Sequence, residues 1–374
     1  MMLTLAARTA DTGRVRRFSR NVDGGAVVGV PDTMRAAVYR GPRDLAVEER
    51  PVPTPGPRQV LLEVSYCGIC GSDLHFVLDG WGRPGSIEGH EYSGTVAAVG
   101  ADVARWHVGD AVVGGPTPRC GECEYCKAGR PSLCVGRAPI GEAESSDGAF
   151  AEYVCVDESE LLELPDGLNL RSSALAEPLA VALHGLTRGG VRAGQRLLVT
   201  GGGPIGALAV AAARSRGVDD IVVSEPAPAR RALVEQLGAH AVTPDELVAP
   251  LSPNLIVDEP FQVALECSGR ARAMEAALGQ LGRTGVLVLV GAGMQFPTFD
   301  PNRILLNELV VTGAFTYDPG GFEEALELLA SPGFPLDVLI EPDDIDLDGL
   351  YGALEALAAG EVAAKVVVVP GRKA

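Results

Sequence analysis

The sequence is poor in lysine and in positive charge as a whole. It contains three lysines, Lys127, Lys365 and Lys373, and its formal net charge is −18. Because nucleic-acid binding depends on clustered Lys and Arg that face phosphates, this balance argues against a nucleic-acid partner. The sequence also lacks any uninterrupted apolar run near the roughly 18 residues that a membrane-spanning helix needs. We therefore predict that neither nucleic acid nor a membrane is a partner.

A secretory signal is missing as well. Residues 1–33 contain five arginines but no charged-then-apolar pattern with a cleavage site, which is how signal peptides are recognised. We predict a disordered extension over residues 1–33, with a transit peptide as the alternative, and a fold that begins at Met34. A chain of 374 residues exceeds what one hydrophobic core usually supports, so two domains are expected.

Four of the eight cysteines fall within 15 residues, in the pattern C-x2-C-x2-C-x7-C, at Cys120, Cys123, Cys126 and Cys134. Clustered cysteines in a large chain without a signal peptide indicate metal binding in a reducing compartment, and we predict a cytoplasmic protein. Four thiolates can close a tetrahedral shell around Zn²⁺, which would stabilise a loop without doing chemistry. An iron–sulfur cluster is the alternative, but the common bacterial cysteine run has a shorter last gap and a following proline.

The order of apolar segments predicts two kinds of domain. Residues 35–156 alternate short apolar runs with Pro-rich turns, as in a β-rich domain. A helix is predicted over residues 172–190, and strands alternate with helices from RLLVT (196–200) to VVTGAF (310–315). That alternation is typical of an α/β, doubly wound parallel sheet. The tail contains two helical segments and ends in the strand KVVVVP, and we expect it to return to the first domain.

A glycine-rich turn follows the first strand of this alternation. Its sequence GGGPIG places Gly201, Gly203 and Gly206 in a G-x-G-x-x-G pattern, with Pro204 and Ile205 opening an Ala-rich helix. Strand, turn and helix in this order predict a dinucleotide site, with the pyrophosphate at the helix N-terminus. Glu225 lies 19 residues beyond the last glycine. An acid there accepts hydrogen bonds from the adenosine ribose and repels a 2′-phosphate, so NAD is favoured over NADP; Arg230, with Arg231, is the counter-evidence.

Two further segments offer ligands for a second metal. CGICGSDLH (67–75) contains Cys70, and IEGHEYSG (87–94) contains His90 and Glu91. A catalytic zinc needs three protein ligands and leaves a fourth position for water or substrate. Taken singly, each of these residues is more often a core or surface residue. The segment ALAEPLAVALHG (174–185), with Glu177, is the third part of the pattern.

Five segments in this order, GICGSDLH, GHEYSG, the four-cysteine lobe, AEPLAVALHG and GGGPIG, resemble the zinc-dependent medium-chain alcohol dehydrogenases. The resemblance covers about residues 34–370 and is strongest to the sorbitol and threonine dehydrogenase-like branch. It implies a GroES-like catalytic domain over 34–180 and 315–374, with a structural zinc lobe at 118–136, and a Rossmann domain over 181–314. It also implies two Zn²⁺ ions per chain, NAD, and a homotetramer or homodimer formed through the cofactor domains.

The resemblance assigns roles residue by residue. Cys70 and His90 are expected to bind the catalytic zinc, and either Glu91 or Glu177 is expected to be the third ligand. Ser72 is expected beside the substrate oxygen, and His75 to carry the proton on to solvent, a task suited to its pKa near 6.5.

The expected reaction transfers a hydride from a secondary alcohol, diol or polyol to NAD. Polyol dehydrogenases of this family have an Arg-Tyr-type pair after the cofactor domain, where this chain has Ala-Phe-Thr-Tyr at 314–317 without the arginine. Sorbitol itself is therefore doubtful. Two alternatives remain: a threonine-type amino-alcohol dehydrogenase, and a non-catalytic zinc-stabilised nucleotide-binding protein.

Overall fold

The computed structural model of the chain describes residues 29–115, 119–136 and 147–372. Most of the predicted N-terminal extension (1–28) and residue 118 of the predicted lobe lie outside the described residues. The first strand, β1, begins at Thr33, one residue before the predicted start of the fold.

The first part of the chain forms antiparallel sheets, as predicted for a β-rich domain. Its strands are β1 (Thr33–Gly41), β2 (Asp44–Pro51), β3 (Gln59–Gly68), β4 (Glu91–Val99), β5 (Ala111–Gly114), β6 (Tyr153–Asp157) and β7 (Leu161–Glu163). The first two strands pair with each other, and the others form a sheet in which β3 is followed by β4, β5 and β7. β6 pairs with β3 on the edge that faces away from β4. Alternate residues of these strands face a core of buried Val, Leu and Ala side chains.

Four helices connect or follow these strands. They are α1 (Gly71–Val77), α2 (Glu124–Lys127), α3 (Leu170–Ser173) and α4 (Ala176–Gly189), with short 3₁₀ helices at Pro131–Leu133 and Glu158–Glu160. The single helix predicted over 172–190 is wrong in one respect, because the segment is divided into α3 and α4. Pro178 explains the division: within a continuous helix its ring would clash with the carbonyl of residue 174, whereas the first turn of a new helix tolerates it. α4 ends at Gly190, whose φ is +65°, the left-handed conformation that favours glycine.

The second sheet has six strands and is entirely parallel. Its strands are β8 (Arg196–Thr200), β9 (Asp220–Ser224), β10 (His240–Val242), β11 (Phe261–Glu266), β12 (Leu281–Leu289) and β13 (Val310–Gly313). Their connections contain α5 (Pro204–Ser215), α6 (Pro228–Gln236), a 3₁₀ helix (Pro244–Glu246), α7 (Ala271–Gln280) and α8 (Pro301–Asn307). The spatial order is β10-β9-β8-β11-β12-β13, which is the doubly wound Rossmann order and confirms the predicted fold class.

The C-terminal tail returns to the first sheet. It contains α9 (Gly321–Ala330), α10 (Leu336–Leu339), α11 (Leu350–Ala359) and the two-residue strand β14 (Val367–Val368). β14 pairs with Gly68 and Cys67 at the end of β3. The tail therefore lies beside the segment that precedes Cys70.

α4 packs against both parts of the molecule, on β4 on one side and on β11, β12 and α5 on the other. The predicted domain boundary at residues 180/181 falls inside this helix. Within the described residues, no helix is long and apolar enough to cross a membrane.

Candidate active site

The centre of the site is the turn that joins β3 to α1. Cys70 caps α1, and its backbone N–H donates to the Asp73 carboxylate at 2.8 Å. Asp73 is fully buried, and burial raises the pKa of its carboxyl to about 6, while the nearby His90 acts in the opposite direction. The local sequence therefore places Cys70 at the start of α1, with the buried Asp73 carboxylate bound to its backbone N–H.

Strand pairing brings the second ligand segment to the same place. Gly68 of β3 lies opposite Glu91 of β4, so Cys70, two residues beyond Gly68, approaches His90, which immediately precedes β4. One donor atom each from Cys70, His90 and Glu91 lies within 4.8 Å of the others. His90 Nδ1 is 3.6 Å from the Asp73 carboxylate. A thiolate, an imidazole and a carboxylate gathered in this way fit the donor preferences of zinc.

The fourth residue that sequence reasoning assigned to this metal stands slightly apart. Glu177 lies in the first turn of α4, is buried, and is outside the set of donor atoms within 4.8 Å. Burial raises the pKa of Glu177 to about 7, while His90 opposes that shift. Burial also disfavours protonation of His90, but the adjacent Cys70 and Asp73 more than offset it and raise the pKa of His90 well above its usual value. These groups therefore form one electrostatic cluster.

A buried lysine completes this cluster, and sequence reasoning missed it. Lys365 is 1% exposed, and its ammonium donates to Glu91 at 2.7 Å and to the carbonyl oxygen of Ile69 at 2.8 Å. Lys365 thus connects Ile69, the residue before Cys70, to Glu91, the residue after His90. Burial lowers the pKa of Lys365, but the charges of Glu91 and Cys70 outweigh burial and raise it overall. A single lysine within an otherwise apolar terminal strand was the available signal.

Ser72 and His75 both lie on α1. The Ser72 hydroxyl is 3.5 Å from His90 Nε2, next to the donor set. His75 lies further along the helix, where its Nδ1 is 2.7 Å from the Asp79 carboxylate and its Nε2 is 3.3 Å from the Ala292 carbonyl oxygen. Ala292 belongs to the loop after β12 of the parallel sheet. His75, on α1 of the β-rich domain, therefore contacts both domains.

The four cysteines of the lobe also come together. Their sulfur atoms lie within 4.8 Å of one another around α2, although none is in a disulfide. The Cys126 backbone N–H donates to the Cys123 sulfur, and this contact is the main cause that lowers the pKa of Cys123 to about 6. Backbone donors of this kind stabilise thiolates, the form that binds zinc. The lobe is tied to the rest of the chain by Arg130, whose Nε is 2.6 Å from the Asp318 carboxylate.

The glycine turn has the shape that a pyrophosphate requires. Gly201 has φ +98°, and a Cβ on Gly206 would lie 1.9 Å from the Gly201 carbonyl oxygen. Both positions therefore exclude any side chain. Gly203 caps α5, which begins with Pro204 and Ile205, so the first N–H groups of α5 face outward at the carboxyl edge of the sheet.

Glu225 lies at the end of β9, beside this turn. It is buried, and its carboxylate accepts from the backbone N–H groups of Gly202 (2.7 Å) and Ala227 (2.8 Å). Arg230 donates to the carbonyl oxygens of Leu357 and Val362, at the end of α11 and beyond, and its guanidinium also lies beside the turn, 3.8 Å from where a Cβ on Gly203 would be. Arg231 donates to the Glu225 and Pro226 carbonyl oxygens.

A Rossmann domain with a glycine turn, beside a β-rich domain with a thiolate–imidazole–carboxylate set, defines a zinc- and nicotinamide-dependent dehydrogenase. Two family descriptions match the chain: "Alcohol dehydrogenase GroES-like domain" over residues 56–166 and "Zinc-binding dehydrogenase" over residues 204–331. The chain belongs to the zinc-dependent medium-chain alcohol dehydrogenase family, which confirms the predicted resemblance. It is an alcohol or polyol dehydrogenase that uses zinc and a nicotinamide cofactor.

Curated relatives match over nearly the whole chain. Sorbitol dehydrogenase of Bacillus subtilis (strain 168) is 35% identical over 92% of this chain and 99% of its own length. L-threonine 3-dehydrogenase of Rhizobium johnstonii is 32% identical over 90% of this chain and 98% of its own length.

Solved structures match equally well. The 2R,3R-butanediol dehydrogenase of B. subtilis superposes with a TM-score of 0.79 at 32% identity, over 90% of this chain and all of that one. A protein from Sinorhizobium meliloti 1021, solved with NADP bound, has a TM-score of 0.79 at 32% identity, over 91% of this chain and all of that one.

Proposed function

We propose that this enzyme oxidises a secondary alcohol, diol or polyol to a ketone, with NAD as the hydride acceptor and two Zn²⁺ ions per chain. The observation that carries the proposal is the convergence of Cys70, His90 and Glu91 donor atoms within 4.8 Å, next to the Ser72 hydroxyl. One ion would be held by these three residues and the other by the four cysteines of the lobe. We assign Glu91 as the third ligand because Glu177 lies outside the donor set, and we assign Glu177 to the water or substrate side of the site.

The residues divide the work as follows. Bound zinc supplies a Lewis acid that makes an alcohol easier to deprotonate near neutral pH. Ser72, beside His90, accepts a hydrogen bond from the substrate hydroxyl and holds the carbon toward the Rossmann domain. His75 takes up the proton that the alcohol loses and passes it to solvent. Lys365 compensates the charge of Glu91, which is fully buried and, before zinc binds, would otherwise cost several kcal/mol as an unpaired ion.

Two contacts support NAD over NADP. The buried Glu225 carboxylate lies beside the glycine turn, where it would repel a 2′-phosphate. The guanidinium of Arg230 is held by carbonyl oxygens of the tail, and that of Arg231 by carbonyl oxygens next to Glu225. Arg231 is therefore directed away from a phosphate. Arg230 is the counter-evidence, because its guanidinium lies beside Gly203 of the turn and one structural relative was solved with NADP.

The segment after β13 supports a substrate less polar than sorbitol. The Tyr317 side chain is buried and packs edge-on against Phe322. An arginine that could hold several sugar hydroxyls is missing from residues 314–317. We therefore favour a diol, a cyclitol-like compound or a simple secondary alcohol, and the butanediol dehydrogenase structure is consistent with this choice.

A threonine-type activity is the second candidate, because an L-threonine 3-dehydrogenase matches 90% of the chain. One panel decides between the two: zinc-loaded protein, NAD and NADP in parallel, and vicinal diols, polyols and 2-amino-3-hydroxy acids as substrates, followed by absorbance of the reduced cofactor. We expect the highest kcat/KM with a diol or secondary alcohol and NAD. A preference for L-threonine would establish the alternative. One zinc per chain, with no turnover of any alcohol, would instead favour a non-catalytic nucleotide-binding protein.

We further propose a cytoplasmic homodimer or homotetramer, with domains divided at residues 180/181 and 314/315. β13 is an edge strand of the parallel sheet, and Val310 on it is exposed, as are Leu305 and Leu306 in the preceding α8. An apolar edge of this kind is protected in most proteins, and a second copy of the chain would cover it. Light scattering on the eluted protein tests this assignment; a monomer would contradict it.

A further inference from the structure

The ring of His75 is held from three sides. Its Nδ1 is 2.7 Å from the carboxylate of Asp79, one helical turn further along. Its face stacks on Trp81, with 4.6 Å between ring centroids and 18° between ring planes. Its Nε2 is 3.3 Å from the carbonyl oxygen of Ala292, in the loop that follows β12 of the other domain. The orientation of this ring is therefore fixed within the cleft between the domains.

Both ring nitrogens face hydrogen-bond acceptors. A neutral imidazole carries one N–H, so it can satisfy either the carboxylate or the carbonyl, whereas the protonated ring can satisfy both. A charged acceptor at 2.7 Å makes the stronger bond. The neutral ring therefore keeps its proton on Nδ1, toward Asp79, and leaves Nε2 unprotonated, 3.3 Å from the Ala292 carbonyl oxygen.

We propose that Asp79 is a positioning residue for proton transfer, because it fixes the tautomer in which His75 Nε2 accepts the proton lost by the alcohol. This inference rests on the relay role of His75 in the proposed function. The O–H bond of the substrate breaks and an N–H bond forms at Nε2, while the hydride leaves separately to the nicotinamide. The protonated ring then donates to both Asp79 and Ala292, and it returns one proton to water, which restores the neutral ring without any redox change.

The surroundings of the ring contain few other charges. The neighbouring loop residues, Gly291, Ala292 and Gly293, have no titratable side chain. On α1 itself, Asp73 is buried and directed to Cys70 and His90. Arg43, whose N–H donates to the carbonyl oxygen of Val77, has its guanidinium 3.8 Å from Glu355. The Asp79 side chain is 50% exposed, so a proton leaving the ring has a direct way to solvent.

The tautomer can be read directly. The chain has five histidines, so long-range ¹H–¹⁵N spectra of zinc-loaded protein labelled on histidine contain few ring signals, and loss of one in His75→Gln assigns it. We expect the neutral ring of the wild type to carry its proton on Nδ1. In Asp79→Asn the amide can donate to Nδ1, and the proton should move to Nε2. A wild-type ring protonated on Nε2 would overturn the proposal, whether or not any alcohol is oxidised.

Kinetics supply the second readout. General acid–base groups typically contribute about 10²–10⁴-fold, and we expect Asp79→Asn to lower kcat at least about tenfold and to shift the acid limb of the pH profile. Asp79→Glu should restore most of the rate, and Asp102→Asn, an exposed acid after β4, should match the wild type. Equal rates in Asp79→Asn and Asp102→Asn would refute the positioning role. Full activity of His75→Gln would remove the relay itself, and a lack of turnover in every form would count against the proposed function instead.

Discussion

The two clusters of possible zinc ligands in this chain lie in different surroundings. The four-cysteine lobe is at the surface: Cys120 is exposed and only Cys134 is buried. It uses one kind of donor and needs no outside charge, since backbone N–H groups stabilise its thiolates. The Cys70 site lies between two domains, mixes three kinds of donor, and has fully buried Asp73, Glu91 and Lys365 around it.

The difference between the two sites follows from whether the metal needs a free coordination position. Four thiolates saturate a tetrahedral ion, so the lobe can only hold a loop together. Three mixed ligands leave a position for substrate, but their buried charges must then be balanced by the protein, which here requires a lysine from the far end of the chain. Removing one cysteine sulfur from each site should therefore affect different properties. At the Cys70 site the main loss should be in activity, and at the four-cysteine lobe it should be in stability.

Cys70→Ala should have the largest effect on activity. A catalytic metal supplies several kcal/mol of transition-state stabilisation, and each 1.4 kcal/mol is about tenfold, so kcat should fall more than about a thousandfold. The fold and NADH binding should persist, because Cys70 is only partly buried. Turnover assays, zinc content and a fluorescence titration with NADH measure these three quantities. Residual activity above a few per cent would show that Cys70 is not a ligand.

Lys365→Met should have the largest effect on stability. It leaves the Glu91 carboxylate buried without its cation, and breaking a buried pair in this way typically costs about 3–5 kcal/mol. Urea unfolding of the metal-free protein measures the loss, and Lys127→Met, an exposed lysine on α2, should change the free energy of unfolding by less than about 0.5 kcal/mol. The double variant Lys365→Met, Glu91→Gln should regain part of the loss. If Lys365→Met and Lys127→Met change the free energy of unfolding equally, the Lys365–Glu91 pair does not contribute to stability.

Cys123→Ala tests the lobe with the same atom removed. We expect the protein to lose one zinc per chain and several degrees of melting temperature, while kcat at 25 °C stays within about threefold, because a closed zinc site contributes to folding and not to chemistry. Metal analysis and a thermal scan suffice. Cys155→Ala, a partly buried thiol in β6, serves as the cysteine control and should retain both metals. A kcat loss as deep as that of Cys70→Ala would erase the contrast between the sites.

Sequence reasoning succeeded where function depends on neighbouring residues. RLLVT was predicted as a strand and is β8, and the glycine turn follows it, because these features depend on local backbone geometry. The roles of Cys70, His90 and Ser72 remain predictions, but the pairing of Gly68 with Glu91 explains why the two motifs that contain them meet. The domain boundary at 180/181 remains a prediction; it lies within α4, which packs against elements of both parts of the molecule.

Contacts between distant residues could not be predicted. Lys365 reaches Glu91 across 274 positions only because β14 adds to the end of β3. Arg230 was a candidate for binding a cofactor 2′-phosphate; it lies beside Gly203 of the turn, but the tail also supplies two carbonyl oxygens that accept from its guanidinium. In both cases the contacts of a charged side chain depend on a short stretch of the returning tail. No local sequence pattern predicts where that stretch lies against the rest of the fold.

Glu160 has a partly buried carboxyl whose pKa is shifted mainly by burial, and it gives the smallest of the expected effects. Burial chiefly raises the pKa of Glu160 to about 7, and Asp157 adds to the shift. Because the folded pKa lies above the usual value of about 4.3, the native state binds the extra proton, and stability falls as pH rises from about 4.5 to 7.

Glu160→Gln removes the ionisable carboxyl and, with it, the loss of stability at higher pH. Relative to the wild type, it should gain about 1–2 kcal/mol in the free energy of unfolding at pH 8 and almost nothing at pH 5, after allowance for partial solvent screening. Urea unfolding at the two pH values measures it, with Glu163→Gln on β7, an exposed position, as the reference. A gain that is equal at both pH values would mean that packing, not charge, explains it. A gain confined to pH 8 would show what burial costs a carboxylate that has no ammonium partner, which is the cost that Lys365 offsets at the more deeply buried Glu91.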